Sequence, residues 1–338
     1  MDKMITTYSM WRSFRDCRKA CYWRYFQQLV PLQKAHSLAF GSVIHQCLEI
    51  WHGSQNISDV LEHIDHTYIN RIADEKEKAD WHLARAMMMG YARIYPKENF
   101  EVVTLEQEFS GPIINPETGA ESRTFILAGK VDGIVKMDGS YYLLEHKTAS
   151  QIDGGYLDRL WTDFQIILYS WYIEKCRGYK ISGIIYNILA KAKLKQSKGE
   201  TEAEFEERRE ALIAKSKTGK SSAKRKLPET NEEFQSRLAE KYSDQQMFHR
   251  EILFISRDQF EELQAELWEL SQAMLEARRR KAFYRNTSCC FQYNRPCAYY
   301  PLCSSGGNPN IIENMYERKA PHSELSESVL NTQNKPIF

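Results

Sequence analysis

Residues 129–147, Gly129-Lys-Val-Asp132-Gly-Ile-Val-Lys-Met-Asp-Gly-Ser140-Tyr-Tyr-Leu-Leu-Glu145-His-Lys147, decide the fold. Two runs rich in β-branched, aliphatic and aromatic residues, 130–136 and 140–146, flank Met137-Asp138-Gly139-Ser140, the composition of a hairpin turn. Side chains alternate along a strand, so Glu145 and Lys147 share one face, and the hairpin can bring Asp132 beside Glu145. Acidic-x-Lys is a weak signal by itself, since Asp74-x-Lys76 and Glu317-x-Lys319 repeat it inside polar stretches. Position separates 145–147 from these: it ends the apolar run Tyr-Tyr-Leu-Leu, one hairpin after Asp132. Without further context the tripeptide reads first as a strand-end salt bridge.

Outward from the hairpin, 101–110 and 123–128 have the same strand texture. Upstream lie helical patterns at 38–51, with Leu38, Ile44, Cys47, Leu48 and Trp51 as its apolar stripe, at 57–73, and at 80–95 before Pro96. Residues 4–30, rich in aromatics and arginine, predict a short helix ending before Pro31. Downstream come a helix over about 158–176, a strand over 181–190, a strand near 249–256 and a long helix near 257–282. Helices, an antiparallel meander, a helix and another strand make a mixed α/β core. Within the charged stretch 195–245, Glu200-Thr-x-x-Glu-Phe-x-x-Arg208 recurs as Glu229-Thr-x-x-Glu-Phe-x-x-Arg237, and each Thr with the Glu three residues on predicts a capping box.

A net charge of +1 and 42% hydrophobic residues over 338 describe an ordinary globular chain. No apolar run approaches the roughly 20 residues that span a bilayer. Trp11, Arg12, Arg15 and Asp16 stand where a signal peptide needs an apolar stretch, so a cytoplasmic, reducing location is expected. Lys215, Lys217, Lys220, Lys224, Arg225 and Lys226 form one basic run, and Arg278, Arg279, Arg280 and Lys281 another; each alone is first a solvated face. Of the eight cysteines, Cys47 and Cys176 sit singly in apolar helices and read as small core residues. His63 and His66 share a helix face without a second ligand pair and read as surface residues.

Two carboxylates held close repel unless a divalent cation lies between them, and oxygen ligands suit Mg2+ or Mn2+. Such a cation polarises a phosphodiester and helps generate hydroxide from water, while a lysine beside it offsets charge on the phosphate. The ordered set of residues resembles the PD-(D/E)XK nuclease superfamily, in its RecB-like branch with an iron–sulfur cluster. Gly41-x-x-x-His45 resembles the first motif, Asp132 in Gly-Lys-Val-Asp the second, and Glu145-His-Lys147 the third. Gln165-x-x-x-Tyr169 resembles the branch-specific motif near the DNA and the site. The resemblance implies a restriction-endonuclease-like core, a mixed sheet flanked by helices, with catalytic residues Asp132, Glu145, Lys147, His45, Gln165 and Tyr169. It implies Mg2+ or Mn2+ held by His45, Asp132, Glu145 and the backbone carbonyl of His146. Glu49, one turn after His45, either reaches the metal or faces solvent.

Cys290, Cys297 and Cys303 place three thiols in 14 residues, which in a reducing compartment argues for a metal site rather than disulfides. Zinc and an iron–sulfur cluster both use thiolates, and a fourth ligand is needed. In the branch resembled, Ser9…Phe14-x-x-Cys17 is the place that supplies it, with Arg18 here where a proline is usual. Cys17, Cys290, Cys297 and Cys303 would then hold [4Fe-4S], with zinc the alternative, and clip the two ends of the chain together. Cys289 is a rival for Cys290, although Asn286-x-x-x-Cys290-x-x-Tyr293 fits the family's flanking pattern better, and Cys21 is a rival for Cys17. The expected organisation is one domain over 1–305, with its core at about 38–190, a charged helical insertion at about 195–245, the cysteine clip at 286–305, and a loose polar tail over 306–338.

The activity expected is that of a DNA exonuclease on ends or single strands, in recombination, repair or phage DNA metabolism. A helicase, a recombinase or a single-strand annealing protein is the partner such a role implies. Basic residues would neutralise phosphates and tyrosines stack on unpaired bases. A CRISPR-associated end-trimming nuclease shares the motifs and the clip. A silent DNA-binding or partner subunit is the other alternative, and the intact Asp132, Glu145 and Lys147 argue against it.

Overall fold

Asp138 (φ +48°) and Gly139 (φ +81°) both adopt left-handed backbone, and Met137 pairs with Ser140, so the hairpin closes on the two-residue turn its composition predicts. The computed structural model describes residues 3–33, 36–216, 218–292 and 295–330. Lys217 of the first basic run, Tyr293 of the cysteine segment and the last eight residues of the tail lie outside them.

In chain order the elements begin with β1 (Met4–Thr6), α1 (Tyr8–Asp16), α2 (Arg18–Cys21), a π-helical turn Tyr22–Phe26 and β2 (Leu29–Pro31). Three helices follow, α3 (His36–Ser54), α4 (Ile57–Tyr68) and α5 (Glu75–Ile94), and then the meander β3 (Glu101–Ile114), β4 (Glu121–Met137) and β5 (Ser140–Ala149). Next are α6 (Gly154–Leu160), α7 (Phe164–Arg177), β6 (Ile181–Ala190), α8 (Glu202–Lys215), α9 (Asn231–Lys241), β7 (Phe248–Phe254) and α10 (Arg257–Arg279). The C-terminal part holds β8 (Phe291–Gln292), β9 (Arg295–Pro296), α11 (Tyr300–Ser304), α12 (Pro309–Met315), β10 (Tyr316–Arg318) and α13 (Glu327–Leu330).

Six strands make one mixed sheet: β3, β4 and β5 are antiparallel neighbours, β1 runs parallel to β4, β6 parallel to β5, and β7 antiparallel to β6. On one face, Phe125, Leu127, Val131 and Leu143 pack against Trp11 and Phe14 of α1, Leu168 and Tyr172 of α7, and Leu263 and Leu267 of α10. A second core, built by α3, α4, α5 and α9, meets the sheet at Leu189 and Phe248. This is the mixed α/β architecture expected, with helices on both faces. No helix among the described residues is long and apolar enough to cross a membrane.

Several boundaries differ from the sequence reading. The single helix expected over 4–30 is a strand, two helices and a π-turn. Cys17 has extended backbone (φ −158°, ψ 107°), which separates α1 from α2, and β1 pairs in parallel with residues 125–127, a contact with no local signature. Segments 123–128 and 130–136 are one strand through Gly129. The helix expected over 158–176 is two, because Asp163 caps α7 by accepting from the Gln165 N–H at 3.0 Å. Leu38, assigned to the apolar stripe of α3, is 69% exposed. The tail is not loose over 309–330: β10 pairs with β2, Leu325 and Val329 pack on Ala128, and His322 is buried.

Both capping boxes form, at Thr201/Glu204 and Thr230/Glu233. The rest of the repeat is structural too, since Arg208 clasps Glu200 and Arg237 clasps Glu229 through paired hydrogen bonds. Part of each basic run serves the protein itself: Arg225 binds Glu202 at 2.6 Å, Arg280 binds Glu276 at 2.5 Å, and Arg278 lies over Phe26 and Phe125.

Candidate active site

β4 carries β3 along one edge; on the other, β1 pairs with residues 125–127 and β5 with 133–137. Residues 128–132 therefore face a fork where β1 and β5 part. Gly133↔Leu144 is the last pair of the hairpin, and Asp132, next in line, takes the place of a backbone partner. Its Oδ2 accepts the His146 N–H at 2.7 Å. Across on β3, Glu106 has left-handed backbone (φ +48°) between the paired residues Leu105 and Gln107, and its carboxylate pairs with Lys130. Alternation slips there: Val131 and Ile134 both face the α7 side. A local bend of this kind re-aims a side chain, here Asp132.

Past the fork β5 pairs with β6, keeping alternation intact, so Glu145 and Lys147 point to the same face as Leu143. The Lys147 ammonium donates to Glu145 Oε1 at 2.5 Å. α3 delivers His45 from across the fork, with Nδ1 3.3 Å from Asp132 Oδ1. Gly41, one turn earlier, lies over Thr148 of β5. α7 supplies Gln165, whose side chain binds the Tyr169 phenol one turn on; Tyr169 is buried, edge-on to Phe109, within electrostatic reach of Glu145 and Asp132.

Burial opposes the charge of Asp132, but the hydrogen bond and charge of His45, with the His146 N–H, hold its carboxyl well below the usual range. Burial pushes Glu145 up, and the neighbouring Asp132 adds to that against the pull of Lys147. Burial also works against the Lys147 ammonium, yet Glu145 more than offsets it and raises the Lys147 pKa. Among the described residues no three His, Cys, Asp or Glu side chains gather at a shared metal-binding point, and Glu145 turns to Lys147. The donor chemistry nonetheless fits a hard divalent cation: two carboxylates, the second oxygen of Glu145 without the lysine, and an imidazole.

Glu49 is exposed on the rim, where Glu106 and Lys130 act on it more than Asp132 does. His63 bonds Gln46 at 3.2 Å, away from the fork, and His66 is exposed. Sequence reasoning missed Asp163. Besides capping α7 it accepts from the Tyr8 and Tyr186 phenols, each at 3.3 Å, and its charge bears on Lys147. The helix-start pattern Asp163-Phe-Gln was the available signal. Asn187, the lone amide in the apolar strand ISGIIYNILA, was a second.

The thiols of Cys17, Cys290, Cys297 and Cys303 come from the end of α1, a short turn, the β9 exit and α11. Cys297 feels the charge of the other three, and Cys303 that of Cys17. All four are free and half-buried. Backbone N–H groups point at sulfur: Asn286 N donates to Cys17 Sγ at 3.4 Å and Tyr299 N to Cys297 Sγ at 3.5 Å. The buried Trp23 indole N–H faces Cys303 with no oxygen or nitrogen partner. Backbone N–H groups aimed at two of the sulfurs suit thiolates, although among the described residues no three of these thiols gather as a metal-binding group. Cys21 instead lies in the core, donating to Met10 O, with burial raising its thiol pKa. Cys289 is occupied by Asp16 O and the Asn286 amide, each at 3.3 Å.

A mixed sheet that opens around Asp132 and Glu145-x-Lys147 defines a nuclease core. Residues 6–304 match the PD-(D/E)XK nuclease superfamily, and the chain belongs to it. Among solved structures, a protein from Eubacterium rectale described as a candidate exonuclease aligns with 11% identity and a TM-score of 0.48, over 89% of this chain and 93% of that one. The protein designated SSO0001 aligns with 14% identity and a TM-score of 0.21, over 62% of this chain and 77% of that one. No curated protein matches the chain.

Proposed function

We propose that the chain is a Mg2+- or Mn2+-dependent deoxyribonuclease, an exonuclease on DNA ends or single strands. The convergence at the fork of Asp132, His45 and the Glu145–Lys147 pair carries this reading. A divalent cation would be held by Asp132, Glu145, His45 and the His146 carbonyl, and would supply Lewis-acid polarisation of the phosphodiester and an acidified water. Lys147 is held beside Glu145 by their ion pair. It orients the attacking water or offsets negative charge gathering on the phosphate. Gln165 and Tyr169, bonded to each other beside these groups, complete the proposed catalytic set.

Cys17, Cys290, Cys297 and Cys303 are the proposed ligands of a [4Fe-4S] cluster, with zinc the alternative. α1 then links the cluster to the fork, since Cys17 follows its last residue and Tyr8, its first, bonds Asp163. Recombination, repair or phage DNA processing is the setting proposed, with a helicase, recombinase or annealing protein delivering the strand.

The test is digestion of end-labelled DNA with Mg2+ or Mn2+. Glu145→Ala should lower the rate by about two orders of magnitude or more. Equal rates for wild type and variant refute the assignment.

A further inference from the structure

Behind the fork, on the face of the sheet opposite Glu145 and Lys147, lies a buried polar row that the proposed chemistry leaves unused. His146 on β5 is in register with Asn187 on β6, and Asn187 with Arg250 on β7, so the three cross the sheet in line. His146 is 2% exposed and Asn187 and Tyr91 not at all. Arg250 forms an ion pair with Glu98 (Nη1 2.6 Å from Oε2), donates Nη2 to Glu98 Oε1 and to the Tyr91 hydroxyl at 2.8 Å each, and donates Nε toward Asn187 Oδ1 at 3.4 Å. Asn187 Nδ2 in turn reaches His146 Nδ1 at 3.1 Å and the Tyr91 hydroxyl at 3.0 Å. The His52 ring stacks on that of His146, with centroids 5.2 Å apart and planes 3° from parallel.

The donor pattern leaves one arrangement. A guanidinium only donates, so the Asn187 carbonyl oxygen must face Arg250 and its amino group must face His146. That amino group also only donates, so His146 Nδ1 accepts and the ring proton resides on Nε2. Turning the amide over would set its amino group against the Arg250 guanidinium, donor against donor, in a place water does not reach, where an unpaired polar group is expensive. The row ends at the one residue of β5 whose backbone N–H binds Asp132, between Glu145 and Lys147.

We propose that Asn187, oriented by Arg250 and Glu98, is a positioning residue: it locks the His146 side chain and so the peptide that sets Asp132 against Glu145. The inference rests on the reading that these two carboxylates hold the divalent cation.

The experiment measures Mn2+ binding to the full chain by electron paramagnetic resonance, with steady-state cleavage beside it. Asn187→Leu, similar in size and without hydrogen bonds, should weaken Mn2+ binding about 10- to 100-fold, lowering kcat with little change in KM for DNA. Asn187→Asp can only accept from His146. It should retain most of the affinity while moving the ring proton to Nδ1, read in the nitrogen shifts of 15N-histidine-labelled protein. Leu238→Ala opens a cavity in the neighbouring core without touching the row, and should lower stability with Mn2+ affinity unchanged. Wild-type affinity in Asn187→Leu, equal weakness in Asn187→Asp, or equal weakness in Leu238→Ala would each overturn the positioning role. Wild-type Mn2+ binding in Glu145→Ala would instead remove the metal-site reading, and this inference with it.

Discussion

Replacing Gly129 with alanine tests the wall of the site through packing alone. A Cβ at 129 would lie 2.6 Å from Phe109 Cζ and 3.1 Å from Tyr169 Cε1. Carbon atoms settle at about 3.5–4.0 Å, so Phe109 must retreat by about 1 Å. It has nowhere to go: its ring is 1% exposed, with Tyr169 and Tyr172 centred 5.2 and 5.7 Å away. Overpacking of this kind costs about 1–3 kcal/mol. Alanine is better than glycine in regular backbone by about 0.5–1 kcal/mol, which leaves a net loss of up to about 2.5 kcal/mol, about 1 kcal/mol at mid-range. Equilibrium urea unfolding, followed by tryptophan fluorescence, reads the change as a lower midpoint. DNA cleavage should fall too, because Phe109 cannot move without Tyr169. Gly154→Ala is the matched control. Its Cβ would meet nothing within 4 Å at the start of α6, so it should gain about 0.4–1 kcal/mol. If Gly129→Ala proves as stable as wild type while Gly154→Ala gains, the ring wall yields freely and the packing argument fails.

Two further outcomes are expected. In metal-free protein the His45–Asp132 pair should stabilise the fold over a defined pH window. The raised His45 pKa contributes fully below the unfolded value of about 6.5 and is lost as pH rises through the folded one. The depressed Asp132 pKa contributes above about 3.9 and is lost as pH falls. The urea-midpoint gap between wild type and His45→Asn, measured in EDTA, should therefore be widest near pH 5 and narrow as pH rises through the folded His45 pKa; a gap that never narrows above pH 5 contradicts the pair. For the cluster, Cys17→Ala should abolish the visible charge-transfer absorbance of anaerobically purified protein. Cys21→Ala should keep the absorbance and lose stability, and the reverse pattern would transfer the ligand role to Cys21.

The two ends of the chain do not depend on a cluster to meet. β10 pairs with β2, and Leu29, Tyr299, Leu302 and Tyr316 form a small core beside Cys297 and Trp23. A cluster there would be held in a frame that hydrophobic packing already builds. Removing a cluster bound there would accordingly loosen this region more than the sheet.

What the sequence by itself determined is local. The Asp138-Gly139 turn, the alternation that puts Glu145 and Lys147 on one face, and the two capping boxes follow from backbone preference and from hydrogen bonds spanning three or four residues. The motif order from His45 to Tyr169 was legible because the side chains that carry chemistry are distinctive in type. Tertiary structure alone decided the fork. It exists because β1, three residues without a strand pattern, pairs with a segment about 120 positions away, and because Asp132 satisfies a peptide of β5 with its own carboxylate. It also decided the row His146–Asn187–Arg250, whose members are 41 and 63 positions apart. Their hydrogen-bonding needs are visible in the sequence, but the partner that satisfies each is fixed only by the register of three strands.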